Sequence, residues 1–363
     1  MRRTPSLHAV VPALFWLCLN AGGVTVETNV TYAVGAVNAH GGGGTRDLKL
    51  DVYRPAESER TGSALVLVHG GGFTGGDRTS PDMVDAALYF AQRGWVCFSI
   101  DYRLTTDDPP APWWVELQGD PVLNAAHAAT VDTKRAVRWV RARAADYGCD
   151  TNRIAALGHS AGAYCVVLAS VTDEADFAND AGTATPDQWP DRRGKLNAGV
   201  EVSGGLEWYA SAFDASDPPL MIWHGDADTV VPYSEAEEIA AECVAHRIPH
   251  RFFTLAGKDH GVETWLALHE GRDVKAHAYE FLGRFFDLHV DIAEGGVGAV
   301  RLTWPSVSNA VYDVRSAGSM SQPFTNVVKP AVTSMADTCA VDLPMSAATE
   351  FYRVGVLSVG RPR

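Results

Sequence analysis

The stretch Ile154-Ala155-Ala156-Leu157-Gly158-His159-Ser160-Ala161-Gly162 decides the fold of this 363-residue chain. Its first four residues form a short apolar run typical of a buried strand, and residues 161–170 fit a helix. A Gly-x-Ser-x-Gly between a strand and a helix forms a sharp turn, because its glycines tolerate the crowding, and the serine hydroxyl projects from the carboxyl edge of the sheet. An ordinary glycine-rich turn is the alternative, but the strand-to-helix context favours a nucleophilic Ser160.

A second glycine-rich segment, His69-Gly70-Gly71-Gly72-Phe73, follows the apolar run 64–68. Three consecutive glycines let the backbone approach a site closely and turn its N–H groups towards it. We predict that Gly70 and Gly71, together with Ala161, donate these groups to the oxyanion of a tetrahedral intermediate.

A serine becomes a nucleophile only with a base within hydrogen-bond reach and an acid that orients the base. The segment His224-Gly225-Asp226-Ala227-Asp228 follows the apolar run 220–223, and Asp259-His260 follows the run 251–255. Serine, acid and histidine therefore occur in the chain order expected when all three lie at strand ends of one sheet. His260 is the candidate base, and both Asp226 and Asp228 are candidates for the acid.

The pattern around these segments predicts an α/β fold. Residues 31–37 and 48–53 alternate apolar and polar side chains and indicate an antiparallel hairpin. Apolar strands and helical stretches then alternate, which is typical of a mostly parallel sheet covered on both faces. The predicted strands are 64–68, 95–100, 154–157, 200–203, 220–223 and 251–255, and the predicted helices are 83–94, 133–147, 161–170, 234–246 and 276–288. Residues 105–130 are predicted to be a loop insertion.

The character of the chain changes near residue 290. Short runs of β-type composition, at 300–304, 311–315, 324–328 and 350–359, are joined by Gly, Ser, Asn and Pro. We therefore predict a catalytic domain over residues 24–289 and a small β-sandwich-like domain over residues 290–363. The second domain is a candidate for binding carbohydrate or a cell surface.

The first 23 residues resemble a secretory signal peptide. Arg2 and Arg3 precede an apolar run over residues 9–19, and small residues follow it at 21–23. An uncleaved anchor is the alternative, but the run is shorter than a spanning helix requires and Pro12 interrupts it. We therefore expect cleavage after residue 23 and a secreted, periplasmic or extracellular protein without a stable membrane span.

Charge excludes one class of partner. The chain carries 30 Lys+Arg against 44 Asp+Glu, a formal net charge of −14. Without a basic run to offset this balance, a nucleic acid would be repelled. The chain shows no closely spaced cysteine pair and no histidine pattern suited to a metal, so neither a metal nor a cofactor is expected.

Taken together, these motifs resemble the α/β-hydrolase serine esterases with a His-Gly-Gly-Gly oxyanion loop, which include carboxylesterases and feruloyl- or acetyl-esterases. Leu50-Asp51-Val52-Tyr53-Arg54-Pro55, Asp101-Tyr102-Arg103-Leu104 and the segment 147–154 extend the resemblance over residues 30–288. It implies Ser160 as nucleophile, His260 as base and Asp228 as acid, because the family places the acid three residues before a Val-Pro pair.

The resemblance implies a secreted carboxylic-ester hydrolase that works through an acyl-enzyme on small-molecule or polysaccharide esters with short-acyl or aryl groups. Trp113 and Trp114 are candidate substrate contacts, since indole rings stack on aryl or sugar rings. Covering the sheet is the alternative role for both.

His69, His159 and His224 are expected to be structural, and Asp259 to be a solvated loop acid. An amidase, peptidase or formamidase on the same triad and a non-enzymatic surface-binding protein are the rival functions.

Overall fold

The computed structural model describes residues 23–178, 189–206 and 209–286, and in the C-terminal part residues 291–294, 299–305, 310–317, 326–333, 338–344 and 351–359. The expected signal peptide lies outside these residues except for Gly23. No helix in the described part of the chain has the length and apolar character needed to cross a bilayer.

An eight-stranded sheet forms the centre of the molecule, with strand order β1-β2-β4-β3-β5-β6-β7-β8. The strands are β1 (Thr25–Val37), β2 (Gly44–Arg54), β3 (Ala64–Val68), β4 (Val96–Ile100), β5 (Ile154–His159), β6 (Ala198–Val202), β7 (Leu220–Gly225) and β8 (His250–Leu255). β1 and β2 form the predicted antiparallel hairpin, β2 pairs antiparallel with β4, and β3 to β8 run parallel. This confirms the predicted mostly parallel sheet.

Helices cover both faces of this sheet. They are α1 (Pro81–Ala91), α2 (Trp113–Glu116), α3 (Pro121–Ala142), α4 (Ala144–Tyr147), α5 (Ala161–Val171), α6 (Tyr233–His246), α7 (Val262–Trp265) and α8 (Val274–Phe286). Side chains alternate along β3, so Leu65 and Leu67 pack towards α1 and α8, whereas Val66 and Val68 pack towards α3 and α5. The buried core therefore has two layers, one on each side of the sheet.

The predicted loop at residues 105–130 is wrong in its second half. α3 begins at Pro121, not near Thr133, and the Asp120 side chain accepts a hydrogen bond from the Val122 N–H. An aspartate followed by proline is a helix start, because the carboxylate satisfies a free N–H and proline needs none. The Asp120-Pro121 pair indicates the start of this helix, which apolar periodicity alone does not show.

The turn between β5 and α5 explains the glycines of the pentapeptide. A Cβ on Gly162 would lie 2.0 Å from the Val68 carbonyl oxygen, and one on Gly158 would lie 2.2 Å from the Gly162 carbonyl oxygen. Ser160 has φ 52° and ψ −120°, a strained conformation for a residue with a side chain. Close backbone packing thus seats the start of α5 against the end of β3 and leaves Ser160 at the apex of the turn.

Gly162 gives a direct test of this packing. We expect Gly162→Ala to lower the free energy of unfolding by roughly 2–4 kcal/mol, because the methyl group meets rigid backbone rather than a flexible side chain. Gly283→Ala in α8 is the matched control, since nothing lies within 4 Å of its Cβ position; it should raise stability by about 1 kcal/mol. Urea unfolding of both variants measures the difference, and equal midpoints would contradict the close packing.

In the C-terminal part the described strands form two three-stranded antiparallel sheets, with orders β13-β10-β9 and β12-β11-β14. Their bounds are β9 (Asp291–Glu294), β10 (Ala299–Pro305), β11 (Ala310–Ala317), β12 (Asn326–Thr333), β13 (Thr338–Pro344) and β14 (Phe351–Val359). Sequence patterning indicated four of these strands and missed β9 and β13. The domain boundary at residue 290 and the sandwich arrangement stay predictions.

Candidate active site

The structure brings Ser160, His260 and Asp228 together at the carboxyl edge of the sheet. Ser160 Oγ lies 2.8 Å from His260 Nε2, and His260 Nδ1 lies 2.7 Å from Asp228 Oδ2. Ser160 follows β5, Asp228 follows β7 and His260 follows β8. Residues far apart in sequence meet here because the carboxyl ends of parallel strands share one edge.

The partners of the His260 ring define its tautomer. Asp228 can only accept, so Nδ1 carries the proton when the ring is neutral, and the lone pair of Nε2 faces the serine hydroxyl. A neutral imidazole in this orientation can remove the hydroxyl proton as Ser160 attacks an electrophile. The carboxylate behind it can stabilise the imidazolium that forms.

Both oxygens of the Asp228 carboxylate have polar partners. Its side chain is fully buried, Oδ1 accepts hydrogen bonds from the N–H groups of Val230 and Val231 at 2.9 and 2.8 Å, and Oδ2 also lies 3.3 Å from His224 Nε2. Asp226 points elsewhere, because its Oδ1 accepts from the Gly257 N–H at 2.6 Å. Of the two aspartates that the sequence left open, only Asp228 contacts His260.

The glycine loop after β3 lies against the serine. A Cβ on Gly70 would lie 3.3 Å from Ser160 Cβ, and Gly71 has φ 117°, a conformation that other residues rarely adopt. Ala161 is the first residue of α5, where backbone N–H groups have no partner within the helix. Gly70 and Ala161 therefore lie next to Ser160, whereas the atoms nearest the Cβ position of Gly71 belong to Gly75 and Gly76.

The loop is fixed by two side chains behind it. His69 Nδ1 lies 2.6 Å from the Gly70 carbonyl oxygen, and its ring stacks on Tyr102 with centroids 4.1 Å apart. Tyr102 donates its hydroxyl to the His69 carbonyl oxygen at 2.9 Å. Burial lowers the pKa of His69, which favours the neutral ring. The expected structural role of His69 agrees with these contacts.

His159 has the structural role expected of it, and Asp82 and Asp259 add support that the sequence did not specify. His159 Nδ1 contacts Asp82 Oδ2 at 2.7 Å, and the His159 ring stacks on that of His260 with centroids 6.0 Å apart. Burial would raise the pKa of Asp82, but the hydrogen bond from His159 holds it below its ordinary value. Asp259, expected to be a solvated loop acid, also accepts hydrogen bonds from the N–H and the hydroxyl of Thr229 at 2.8 and 2.9 Å and so joins the acid and histidine loops.

An apolar cavity with about 560 Å³ of empty space, open solvent at its mouth included, is lined by Tyr164, one helical turn after Ser160 on α5, but not by Ser160, Asp228 or His260. It is lined by Phe73, Trp114, Val115, Val122, Leu123, Ala126, His127, Thr130, Tyr164, Leu168, Phe177 and Tyr209. Of the two tryptophans singled out from the sequence, Trp114 lines this cavity and is 39% exposed, whereas Trp113 is 72% exposed and does not line it. Among the described residues, no cluster of His, Cys, Asp and Glu is arranged to hold a metal ion.

Two family models match the chain. Residues 50–210 match the family described as BD-FAE, and residues 197–289 match the prolyl oligopeptidase family. The first match includes the glycine loop and Ser160, and the second includes Asp228 and His260. Together they extend over most of the eight-stranded unit.

Among curated relatives, Esterase LipC of Mycobacterium tuberculosis is 28% identical over 59% of this chain and 57% of its own length. The probable carboxylic ester hydrolase LipM of the same organism is 27% identical over 52% of this chain and 46% of its own length. The chain thus spans about half the length of the curated relatives it matches.

Among solved structures, the native form of esterase Est2 from Thermogutta terrifontis superimposes with a TM-score of 0.52. It is 22% identical to this chain and covers 72% of it and 92% of its own length. At this identity the likeness establishes the α/β-hydrolase fold, and with the family models it confirms the resemblance seen in the sequence motifs.

Proposed function

We propose that this chain, which has the α/β-hydrolase fold and resembles the serine esterases of that fold, hydrolyses carboxylic esters through an acyl-enzyme formed on Ser160. The observation that carries the proposal is the hydrogen-bonded series from Ser160 through His260 to Asp228, with contacts of 2.8 and 2.7 Å. The adjacent backbone of Gly70 and Ala161 adds the second requirement of acyl transfer, a place for negative charge on the carbonyl oxygen.

The reaction has two halves. In the first, His260 Nε2 takes the Ser160 hydroxyl proton while Oγ bonds to the ester carbonyl carbon, and the N–H groups of Gly70, Gly71 and Ala161 stabilise the oxyanion. The imidazolium then gives its proton to the departing alcohol, which leaves an acyl group on Oγ. In the second half His260 deprotonates a water that attacks this acyl group, and the carboxylic acid leaves as Ser160 regains its proton.

The cavity supports esters with a short-acyl or aryl group. Its wall contains six aromatic side chains, those of Phe73, Trp114, His127, Tyr164, Phe177 and Tyr209. Aromatic rings favour stacked or edge-to-face contact with another ring. Acetyl and feruloyl esters linked to polysaccharide are the substrates we propose, with the aryl or acetyl group in this cavity.

Export and surface binding complete the proposal. The positive residues Arg2 and Arg3 ahead of the apolar run 9–19 support secretion to the periplasm or the medium. A secreted esterase meets polysaccharide outside the cell, so we propose that the β-strands after residue 290 bind carbohydrate or a cell surface.

Amide hydrolysis is the second candidate, because residues 197–289 match the prolyl oligopeptidase family. The same serine, histidine and acid can attack an amide or N-formyl carbonyl, with the histidine protonating the departing amine. This match concerns the half of the domain that carries Asp228 and His260.

A substrate panel tests both candidates. It contains p-nitrophenyl esters from acetate to palmitate, methyl ferulate, acetylated xylan, N-formylkynurenine and a peptide p-nitroanilide. We expect the highest kcat/KM on acetate, butyrate or ferulate, and a steep decline towards palmitate. Turnover of the amides alone would support the second candidate, and no turnover of any ester would overturn the first.

The tryptophan pair offers a matched test of the cavity. Trp114→Ala should raise KM for methyl ferulate by about 5- to 12-fold, since it removes an aromatic wall that contributes about 1–1.5 kcal/mol. Trp113→Ala, an equal deletion beside it outside the cavity, should change KM less than twofold. Steady-state kinetics on methyl ferulate measure both, and equal effects of the two variants would show that the cavity does not hold the aryl group.

A further inference from the structure

Two buried polar atoms behind Asp228 lack a hydrogen-bond partner among the described residues: Glu201 Oε1 and His224 Nδ1. Glu201 lies on β6, between Gly158 of β5 and Ile222 of β7 in the register. His224 lies on β7. The neighbours Val202 and Trp223 pack into the core on the α1 and α8 side, so Glu201 and His224 both point to the opposite face of adjacent strands.

The contacts of His224 determine which of its ring nitrogens carries hydrogen. Nε2 lies 3.1 Å from the Val231 carbonyl oxygen and 3.3 Å from Asp228 Oδ2, and both of these oxygens only accept. Nε2 is therefore the donor. Burial lowers the pKa of His224, so the ring is neutral at pH 7 and Nδ1 is an acceptor. A buried acceptor without a donor is costly.

Glu201 presents the complementary group. Its side chain is fully buried, and Oε2 accepts a hydrogen bond from the Gly204 N–H at 2.7 Å. Burial raises the pKa of Glu201 to about 8, with Asp228 adding to the effect, so the carboxyl group is protonated at pH 7. Because Oε2 is already an acceptor, the proton resides on Oε1. Glu201 is thus a buried donor that faces the same side of the sheet as a buried acceptor.

We propose that Glu201 Oε1–H donates to His224 Nδ1, directly or through one bridging water, so that a series of polar contacts runs from Glu201 through His224, Asp228 and His260 to Ser160. A donor at Nδ1 fixes the tautomer of His224 and polarises its Nε2–H, which donates to the Val231 carbonyl oxygen and lies 3.3 Å from Asp228 Oδ2. Glu201 and His224 are then positioning residues that hold the Asp228 carboxylate in line with His260. The inference rests on the proposed function of the same site.

The other titratable groups around this pair come from four elements. Asp228 and His260 follow β7 and β8, and Glu235 of α6 and Tyr164 of α5 both reach the Cβ position of Gly205. When Glu201 ionises above pH 8, it loses the hydrogen that it donates and adds a second negative charge near Asp228. We therefore expect kcat to fall on the alkaline side with the titration of Glu201.

The test compares wild type, Glu201→Gln and Glu201→Leu in kcat against pH from 5 to 10, with p-nitrophenyl acetate as the probe. Glutamine donates to His224 and accepts from Gly204 at every pH, so it should keep kcat within about twofold at pH 7 and extend the plateau above pH 8. Leucine should lower kcat about tenfold with KM nearly unchanged, as expected for one lost hydrogen bond. An unchanged kcat in Glu201→Leu, or the wild-type alkaline limb in Glu201→Gln, would overturn the proposal.

The pH dependence of folding stability gives a control, because the direction of the expected change is known. Folding raises the pKa of the Glu201 carboxyl group to about 8. The group therefore stabilises the folded protein fully when the pH is below its pKa in the unfolded chain, and this stabilisation is lost as the pH rises through about 8. Relative to Glu201→Gln, the unfolding midpoint of wild type should therefore fall as pH rises from 5 to 8 and level off above it. A parallel pH dependence in both proteins would mean that Glu201 is ionised and cannot donate.

A second readout separates this inference from the proposed function. If wild type hydrolyses no ester, the proposed function fails, and the ¹⁵N chemical shift of His224 Nδ1 still decides the inference. The inference is supported if this ¹⁵N chemical shift is typical of a hydrogen-bonded nitrogen in wild type and Glu201→Gln, and typical of a nitrogen without a hydrogen bond in Glu201→Leu. The same shift in all three proteins would overturn it.

Discussion

Ser160→Ala is expected to lower kcat on p-nitrophenyl acetate by roughly 10⁴- to 10⁶-fold, because it removes the hydroxyl that contacts His260 Nε2 at 2.8 Å. Binding and the backbone donors at Gly70 and Ala161 remain, so a residual rate of roughly 10³-fold over water should persist. Steady-state rates at substrate saturation, with the enzyme purified free of host esterase, measure the change. KM should move little, since the hydroxyl acts on the reacting carbon rather than on ground-state binding.

Strain at the same residue provides the control for folding. Ser160 has φ 52°, a region that costs a side-chain residue about 1–3 kcal/mol and glycine much less. Alanine keeps the strain and should leave the unfolding free energy unchanged, whereas Ser160→Gly should raise it by about 1 kcal/mol. Both variants should be equally inactive. An active Ser160→Ala would remove Ser160 from the mechanism, however stable the protein.

The sheet could be predicted from the sequence because its strands are buried on both faces and read as unbroken apolar runs. The strand Ala64–Val68 begins and ends where its pattern predicts. α3 could not be placed from apolar periodicity, since the face of its first turns that lines the cavity carries His127 and Thr130 as well as apolar residues. Its start was encoded in the cap at Asp120 and Pro121.

The site could be predicted as far as short motifs specify it. Ser160, Asp228 and His260 each follow a predicted strand, so topology alone brings them to one edge. The supports around them depend on contacts between distant segments. Nothing local in Asp82 indicates that it contacts His159, and a lone glutamate within a strand, as at Glu201, gives no sign that it lies buried behind the acid. Sequence motifs thus identify the reacting groups but not the residues that hold them.

A second large loss of kcat is expected at one of the two aspartates that precede the Val-Pro pair. Asp228→Asn is expected to lower kcat by roughly 10⁴-fold, the loss typical when the orienting acid of such a triad becomes an amide. Asparagine can still accept from Val230 and Val231 through Oδ1, but its amide group then faces the Nδ1–H of His260. Two donors cannot pair, so the ring adopts the tautomer with hydrogen on Nε2 and can no longer take the Ser160 proton.

Asp226→Asn is the matched control, two residues away in the same loop. Its Oδ1 accepts from the Gly257 N–H at 2.6 Å, and an asparagine oxygen can do the same, so kcat should stay within about twofold of wild type. Because His224 and His260 both contact Asp228 Oδ2, the Asp228→Asn variant should also lose the response of kcat to Glu201→Leu. A large loss in Asp226→Asn with little change in Asp228→Asn would reverse the assignment of the acid and detach the buried pair from the reaction.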